Sequence, residues 1–265
     1  MKLTKLEGLP HELCCKLPCE LLRHIDGADI YDSSCSPEAR VYLIDKGHGY
    51  FLKTSGHGTL KREAEMNDYF HKKGIGPEVL HYSSGTGDIL LTARVIGEDF
   101  TASRYIREPK RLAKTLGELM RELHETDFSD CPIKSKMEEY FATARRNYAT
   151  DNYDKSYFPD SFGYASAEEA ILAMEKGAER LTEKVLLHGD FCLPNVILDD
   201  WRLSGYIDLG AAGVGDRHVD IFWGEWTLGF NLGTYEYTDI FYDAYGRDKI
   251  DKDKLRTVAA AEVFG

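Results

Sequence analysis

His188-Gly189-Asp190, Asn195 and Asp208 fall within one short stretch of the chain. Asn195 to Asp199 reads as a strand, Asp200-Trp201-Arg202 as a turn, and Leu203 to Asp208 as the returning partner. With Asp199 opposite Leu203, Asn195 lies opposite Ile207. Asn195 and Asp208 then meet at the open end of a hairpin, where cross-strand side chains come within roughly 5–7 Å. An amide oxygen and a carboxylate converging there are hard oxygen ligands suited to Mg²⁺, with positions left over for phosphates. Asp190 stands in the loop entering the hairpin, placed to take a proton from an attacking hydroxyl.

An Asp base, an Asn soon after it and a second metal-binding Asp beyond follow the logic of a kinase catalytic loop. Such a loop needs a phosphate clamp elsewhere in the chain. Lys53 ends the strand Gly49-Tyr50-Phe51-Leu52-Lys53. Alternation puts Phe51 and Lys53 on one face, away from Leu52. Lys53 is then available to nucleotide phosphates and Phe51 to a base. Glu63, early in the following helix, is spaced to pair with Lys53 and aim it. No GxGxxG precedes these strands. The segment Asp32 to Glu38, which includes Ser36, offers small polar residues whose backbone N–H groups suit a phosphate, although a simple hairpin turn explains it equally well.

The elements that must position these residues divide the chain in two. Residues 1–24 read as a short helical segment. Residues 41–44 and 49–53 read as strands about a turn at Asp45 to His48, followed by a helix from about Thr59 to Lys73. Residues 78–84 and 88–95 read as two more strands. After Gly97 the pattern turns helical. Residues 109–125 form an amphipathic helix with Leu112, Leu116, Leu119, Met120 and Leu123 on its apolar stripe. Further helices are expected at 134–149, 166–182 and through most of 217–262, around a strand-and-loop stretch at 185–210. The fold class is therefore α+β and bilobal: a small antiparallel-sheet N-lobe over 1–93 that binds nucleotide, and a larger helical C-lobe over 94–265 for catalysis and substrate. A cleft is expected at their junction.

Composition narrows the function. The 265 residues include 33 Lys and Arg against 45 Asp and Glu, a formal charge of −12. That balance opposes a general nucleic-acid binder, which needs a basic face to replace counterions. It suits a cationic ligand. No run approaches the ~18 apolar residues of a membrane span, and the N-terminus lacks the apolar stretch of a signal peptide. The expectation is a cytoplasmic protein with no membrane partner and reduced cysteines. The six cysteines form no CxxC, so His11, Cys14, Cys15 and Cys19 make a poor zinc set.

Over essentially its whole length the chain resembles the aminoglycoside 3'-phosphotransferases, small-molecule kinases of the protein-kinase-like fold. The resemblance rests on SPEARVYLI, GYFLK, the Glu63 helix, LHETDFSDCP (123–132), LLHGDFCLPN (186–195), SGYIDLG (204–210), GDRHVDIFW (215–223) and the ending AAAEVFG. The HGD and IDLG pieces are shared with choline, homoserine and macrolide kinases. The resemblance implies Asp190 as catalytic base, Asn195 and Asp208 as Mg²⁺ ligands, and Lys53 and Glu63 as the phosphate lysine and its partner. It implies Phe51 as the adenine-stacking aromatic and Ala93, Arg94 and Val95 as the hinge that hydrogen-bonds adenine through its backbone. It further implies that Glu262, Phe264 and the acidic loop with Asp154 and Asp160 touch the polycationic drug, with Asn231 at a position where some relatives carry an acid. The implied reaction is Mg²⁺-dependent transfer from ATP or GTP to the 3'-hydroxyl of a drug such as kanamycin or neomycin, by a monomer, conferring resistance.

Three other readings compete. A metal-dependent hydrolase using His188, Asp190, Asp208, His218 and Asp220 leaves Lys53 and Glu63 unused. The run Gly210 to Gly215 is GxxGxG, the reverse of the dinucleotide fingerprint. A pseudokinase-like binding module would lack the base, a metal ligand or the lysine, and all are present.

Overall fold

A computed structural model describes residues 3–265, apart from Cys15, Ser36, Glu38 and 159–161. Backbone packing divides the chain into two compact units. One holds the residues up to Asp99 together with Pro194–Ala211. The other holds Phe100–Leu193 and Ala212–Gly265. The sequence division at 93/94 follows composition along the chain. The compact units instead follow a return crossing, in which the hairpin after Leu193 packs with the N-terminal residues.

In the first unit, β1 (Thr4–Leu6), β2 (Asp29–Asp32), β3 (Ala39–Asp45), β4 (Tyr50–Ser55), β5 (Val79–Ser84) and β6 (Asp88–Ala93) form one antiparallel sheet in the order β1-β2-β3-β4-β6-β5. The first 24 residues are not one helix. They open with β1 and continue as α1 (His11–Cys14) and α2 (Cys19–Ile25), which runs on to Ile25. Pro10 and Pro18 interrupt any longer helix, because proline has no N–H to donate. β1 exists through its pairing with β2, a long-range contact that local periodicity does not carry.

The sheet is covered on both faces, so β6 is apolar almost throughout. Ile89 and Leu91 join Leu52, Ile44 and the α2 residue Leu21 in one cluster, while Leu90 joins Leu60 and Ala64 in another. Since Leu52 faces the first cluster, Phe51 and Lys53 turn to the face that carries α3 (Lys61–Lys72). Each fully buried Leu or Ile contributes about 1.5–3 kcal/mol, so these two clusters fix the register that aims Lys53.

β7 (Glu98–Asp99), β9 (Val196–Asp199) and β10 (Arg202–Tyr206) form a second small sheet in this unit. Gly97 precedes β7 at φ +132°, where a Cβ would stand 2.2 Å from the Leu198 carbonyl oxygen. Only glycine permits that approach.

The second unit is helical: α4 (Ser103–Ile106), α5 (Pro109–Glu125), α6 (Met137–Ala149), α7 (Ala167–Gly177), α8 (His218–Leu232), α9 (Thr238–Tyr245) and α10 (Lys252–Glu262), with one two-stranded ribbon of β8 (Val185–Leu187) and β11 (Gly213–Gly215). α5 spans the expected 109–125, and its five stripe residues are buried. Pro109 at its first position suits a helix start, where no N–H partner is needed. α6 begins three residues later than its sequence pattern, because the Lys136 N–H is taken by the Val214 carbonyl at 3.0 Å.

Candidate active site

The lysine of the first unit is aimed by a chain of contacts that starts at a buried carboxylate. α3 has no side-chain cap of its own. Asp88, at the start of β6 and 1% exposed, accepts the N–H groups of Gly58 and Leu60 at 2.8 Å each, and also the hydroxyls of Ser84 (2.6 Å) and Tyr82 (3.2 Å). Those N–H groups lie at the entry to α3, so Asp88 supplies the cap from a neighbouring strand. Burial pushes its carboxyl up, but these donors outweigh it and hold Asp88 below the ordinary range.

Glu63 in the first turn of α3 then receives Lys53 Nζ at 2.8 Å, and the same ammonium lies 3.0 Å from Asp208 Oδ1. Lys53 and Glu63 are largely buried, whereas the Asp208 side chain is 54% exposed. Burial opposes the Lys53 charge, but Asp208 and Glu63 more than compensate and raise its pKa. Glu63 is raised by burial and by the Asp208 charge, against the attraction of Lys53.

The hairpin carrying Asn195 and Asp208 differs from the sequence register at its tip and agrees with it at its base. Asp199 pairs with Arg202, not Leu203, because the turn has two residues, Asp200 (φ +44°) and Trp201 (φ +67°), both left-handed. That is the backbone of a type I′ turn. An irregularity between Leu203 and Gly205 then shifts the pairing by one, so that the Ile207 N–H donates to the Asn195 carbonyl at 3.0 Å. Asn195 and Asp208 therefore stand at one end of the hairpin. Both offer hard oxygen donors, and Asp208 is the more exposed of the two, a donor set that fits Mg²⁺. Asp208 itself sits at φ +60°, an unusual conformation for a residue other than glycine.

In the second unit the loop after β8 is held from below. Asp220, in the first turn of α8 and fully buried, accepts the His188 N–H at 2.8 Å on one oxygen and the Gly189 N–H at 2.7 Å on the other. His124 Nε2 donates to the same carboxylate at 3.1 Å, and its Nδ1 meets the Tyr245 hydroxyl at 2.8 Å. Burial pushes Asp220 up, but the hydrogen bond and charge of His124, with His188 and Lys136, leave it below the ordinary range. The Asp190 N–H donates to His188 Nδ1 at 3.2 Å and its carbonyl accepts from the Cys192 N–H at 2.8 Å. Gly189 adopts φ +87°, which lets the chain turn sharply just before Asp190.

The remaining residues named from the sequence are placed as follows. Phe51 is half-buried on the Lys53 face of β4. The N–H groups of Ala93 and Arg94 donate to the Glu78 and Gly49 carbonyls at 2.9 and 3.0 Å, so a base hydrogen-bonded to this hinge would use other backbone groups than those two. Val95 packs on Gly205. Asp154 is exposed and caps a short turn by accepting the Ser156 N–H at 2.8 Å. Asn231 Nδ2 donates to the carbonyl and hydroxyl oxygens of Thr227, at 2.8 and 3.1 Å. Glu262 is buried and accepts the Tyr140 hydroxyl at 2.7 Å. Burial pushes its carboxyl up to about 7, against hydrogen bonds from Tyr140 and Trp223 and the Lys136 charge. Phe264 is fully buried against the Tyr148 and Tyr153 rings. Ser36 and Asp160 lie outside the described residues.

The hydrolase reading fails on His218. Its Nδ1 lies 2.6 Å from Asp216 Oδ1, and its Nε2 accepts the Asp251 N–H at 2.9 Å. Nδ1 therefore carries the proton, and neither nitrogen has a lone pair left for a metal. The nearby Glu183 is already matched by Arg217 and Lys254. Asp88, Asp220 and His124 were not singled out as positioning groups from the sequence. Their signal was an acid opening an otherwise apolar strand, an acid in the first turn of an apolar helix, and a histidine near the end of an apolar stripe.

The first unit thus holds a lysine–glutamate pair beside an exposed carboxylate, and the second holds an Asp loop anchored from a buried helix. Residues 37–258 match the model of the phosphotransferase enzyme family, and the chain belongs to that family. It is 48% identical over 251 residues to a probable aminoglycoside 3'-phosphotransferase of Lactococcus lactis subsp. lactis, covering 94% of this chain and 95% of that one. It is 32% identical over 208 residues to an aminoglycoside 3'-phosphotransferase of Niallia circulans, covering 78% and 79%. Its fold is also that of the crystal structure of a type VIII aminoglycoside-3'-phosphotransferase, with a TM-score of 0.79 at 24% identity over 96% of this chain and 97% of that one. An aminoglycoside phosphotransferase from Streptomyces rimosus, in complex with ADP and streptomycin, matches with a TM-score of 0.77 at 23% identity, over 96% and 99%. Among the described residues no helix is long and apolar enough to cross a membrane.

Proposed function

We propose that this chain transfers the γ-phosphoryl group of ATP, or of GTP, to the 3'-hydroxyl of an aminoglycoside such as kanamycin or neomycin, and so confers resistance as a cytoplasmic monomer. The observation that carries phosphoryl transfer is Lys53, held 2.8 Å from Glu63 and 3.0 Å from Asp208. The 3' position rests on the two aminoglycoside 3'-phosphotransferase relatives.

Lys53 binds the α- and β-phosphates, Phe51 stacks on the base, and the hinge from Ala93 to Val95 receives its polar edge. Asn195 and Asp208 would hold Mg²⁺, which when bound neutralises phosphate charge. Asp190 orients the acceptor hydroxyl and takes its proton as the oxygen–phosphorus bond forms and the bond to the bridging oxygen breaks, releasing the nucleoside diphosphate. Positioning and charge neutralisation supply most of the acceleration. The drug is a polycation, and Glu262, Asp154 and Asp160 supply carboxylates for it, with Asn231 and the Phe264 region alongside.

The test is nucleoside diphosphate release with Mg²⁺ and ATP, or separately GTP, against kanamycin, a 3'-deoxy aminoglycoside, choline and a macrolide. Turnover with kanamycin and none with the 3'-deoxy compound is the expected result. Turnover only with choline or a macrolide would keep the phosphoryl chemistry and overturn the substrate.

A further inference from the structure

The blocks LHETDFSDCP and GDRHVDIFW meet at one buried tyrosine that takes no part in the reaction as proposed. Tyr245, at the end of α9, is fully buried, and its hydroxyl lies between Arg217 and His124. Arg217 Nη1 stands 3.3 Å from that hydroxyl and can only donate, so the tyrosine oxygen is an acceptor there. The hydroxyl's own proton then goes to its other partner, His124 Nδ1, at 2.8 Å. A ring nitrogen that accepts carries no proton, so the His124 proton sits on Nε2, which faces Asp220 Oδ2 at 3.1 Å. The same Oδ2 accepts the His188 N–H, and Oδ1 accepts the Gly189 N–H. The guanidinium therefore sets the order of donation: Arg217 to Tyr245, Tyr245 to His124, and His124 to the carboxylate that grips the two residues before Asp190. Arg217 is itself held through Nε by Glu183, which Lys254 also meets at 3.0 Å.

We propose that Tyr245 is a positioning residue for the Asp190 loop, its hydroxyl fixing His124 in the tautomer whose Nε2–H completes the Asp220 anchor. The inference rests on the reading of Asp190 as the base. With the proton on Nδ1 instead, a ring lone pair would face the buried carboxylate, and the oxygen that holds the His188 N–H would meet repulsion in place of a donor. Arg217 makes that order costly. A second donor on the tyrosine oxygen would leave the hydroxyl proton with no acceptor among the described residues. Burial pushes the Tyr245 hydroxyl up to about 12, against the Arg217 charge, consistent with a proton that stays on the tyrosine oxygen. The Tyr245 and His124 rings also meet edge-on with centroids 5.5 Å apart, so a phenylalanine keeps that packing and loses only the hydroxyl.

The first test needs no substrate: NMR of the His124 ring nitrogens in the whole protein at neutral pH, with the signals assigned by their loss in His124→Gln. In the wild type Nδ1 is expected without a proton and Nε2 with one, and Tyr245→Phe is expected to move Nδ1 toward the protonated form. A proton on Nδ1 in the wild type, or a ring spectrum unchanged in Tyr245→Phe, overturns the proposal. Hydrogen exchange reads the anchor itself. The His188 and Gly189 amides should exchange roughly three- to tenfold faster in Tyr245→Phe, about the worth of one hydrogen bond. In the kinetic arm Tyr245→Phe is expected to lower kcat by a similar roughly three- to tenfold, with the nucleotide KM unchanged. Unchanged exchange, or kcat within about twofold of wild type, overturns the assignment. His124→Gln offers Asp220 an amide N–H with no tautomer to fix, so adding Tyr245→Phe to it should change kcat by less than about twofold. Additive losses would make Tyr245 a packing residue and overturn its positioning role. If the wild-type protein phosphorylates none of the acceptors, the substrate reading fails and the NMR and exchange arms still decide this one.

Discussion

Asp88 in the first unit and Asp220 in the second are both buried carboxylates that accept two main-chain N–H groups, but they reach their chemical residues by different lengths of structure. Asp220 grips the two residues directly before Asp190. Asp88 grips the entry to α3, and its influence passes through a helical turn to Glu63 and only then, across an ion pair, to Lys53. The last link differs most. Backbone hydrogen bonds hold the Asp190 loop in one shape, whereas Lys53 is held by charges that a phosphate or a cation would replace. That difference suits the proposed roles: Asp190 as a base held rigid, and Lys53 as a phosphate lysine able to change partners.

The comparison is broken most directly at Asp190. Asp190→Ala is expected to lower kcat by roughly 10²–10⁴, the usual worth of a general base, while nucleotide binding, measured by calorimetry, stays intact. Near-wild-type turnover would remove Asp190 from its role. Next in size is Asp220→Asn, which turns a buried acceptor of three donors into an amide. A loss of about 3–5 kcal/mol in denaturant stability is expected, together with a fall in kcat.

A third buried carboxylate sharpens the contrast. Glu262 receives the Tyr140 hydroxyl and, among the described residues, no cradle of backbone donors, and its pKa rises from the ordinary 4.5 to about 7, where Asp88 and Asp220 are lowered. The signs follow. In Glu262 the folded state holds the proton more tightly, so its contribution to stability is present below about pH 4.5 and is lost as the pH climbs to about 7, by at most about 3 kcal/mol. Asp88 and Asp220 contribute above the ordinary 3.8 and lose that contribution as the pH falls through their lowered values. Urea midpoints across pH should show the first fall vanish in Glu262→Gln. A midpoint profile identical to wild type would contradict the contrast.

The smallest effects fall on the first unit. Asp88→Asn removes a cap acceptor and should cost about 1–2 kcal/mol, appearing in the nucleotide KM more than in kcat. Lys53→Ala should raise the nucleotide KM about tenfold, near 1.4 kcal/mol, with the fold unchanged by circular dichroism. If Asp88→Asn lowers kcat as much as Asp220→Asn does, the two anchors are not different in kind.

Much of this was legible in the residues. Alternation in β4 put Phe51 and Lys53 on the α3 face because a buried strand reports its own pleat. The α5 stripe was legible because all its partners lie on one side. The hairpin was half legible: a two-residue turn with tryptophan at positive φ carries no familiar turn signal, and the irregularity near Ser204 restored at the base what the turn displaced at the tip. The N-terminal strand and β11 were not legible. Both are three residues long and owe their form to partners far away in sequence. The anchors Asp88 and Asp220 were hidden for a related reason. A buried acid is recognised by the N–H groups aimed at it, and those lie some 30 residues away in each case.

The left-handed backbone of Asp208 has an evolutionary consequence. If Asp208 holds Mg²⁺ as proposed, that position asks for a carboxylate and for a conformation that few side chains other than Asn and Asp tolerate. Asn would keep the shape and lose the charge, Glu would keep the charge and strain the shape, and Gly would relieve the strain and leave no ligand at all. Mutational escape there is closed on every side, so an inhibitor drawing its affinity from the Asp208 carboxylate would press on a residue the protein has almost no freedom to change.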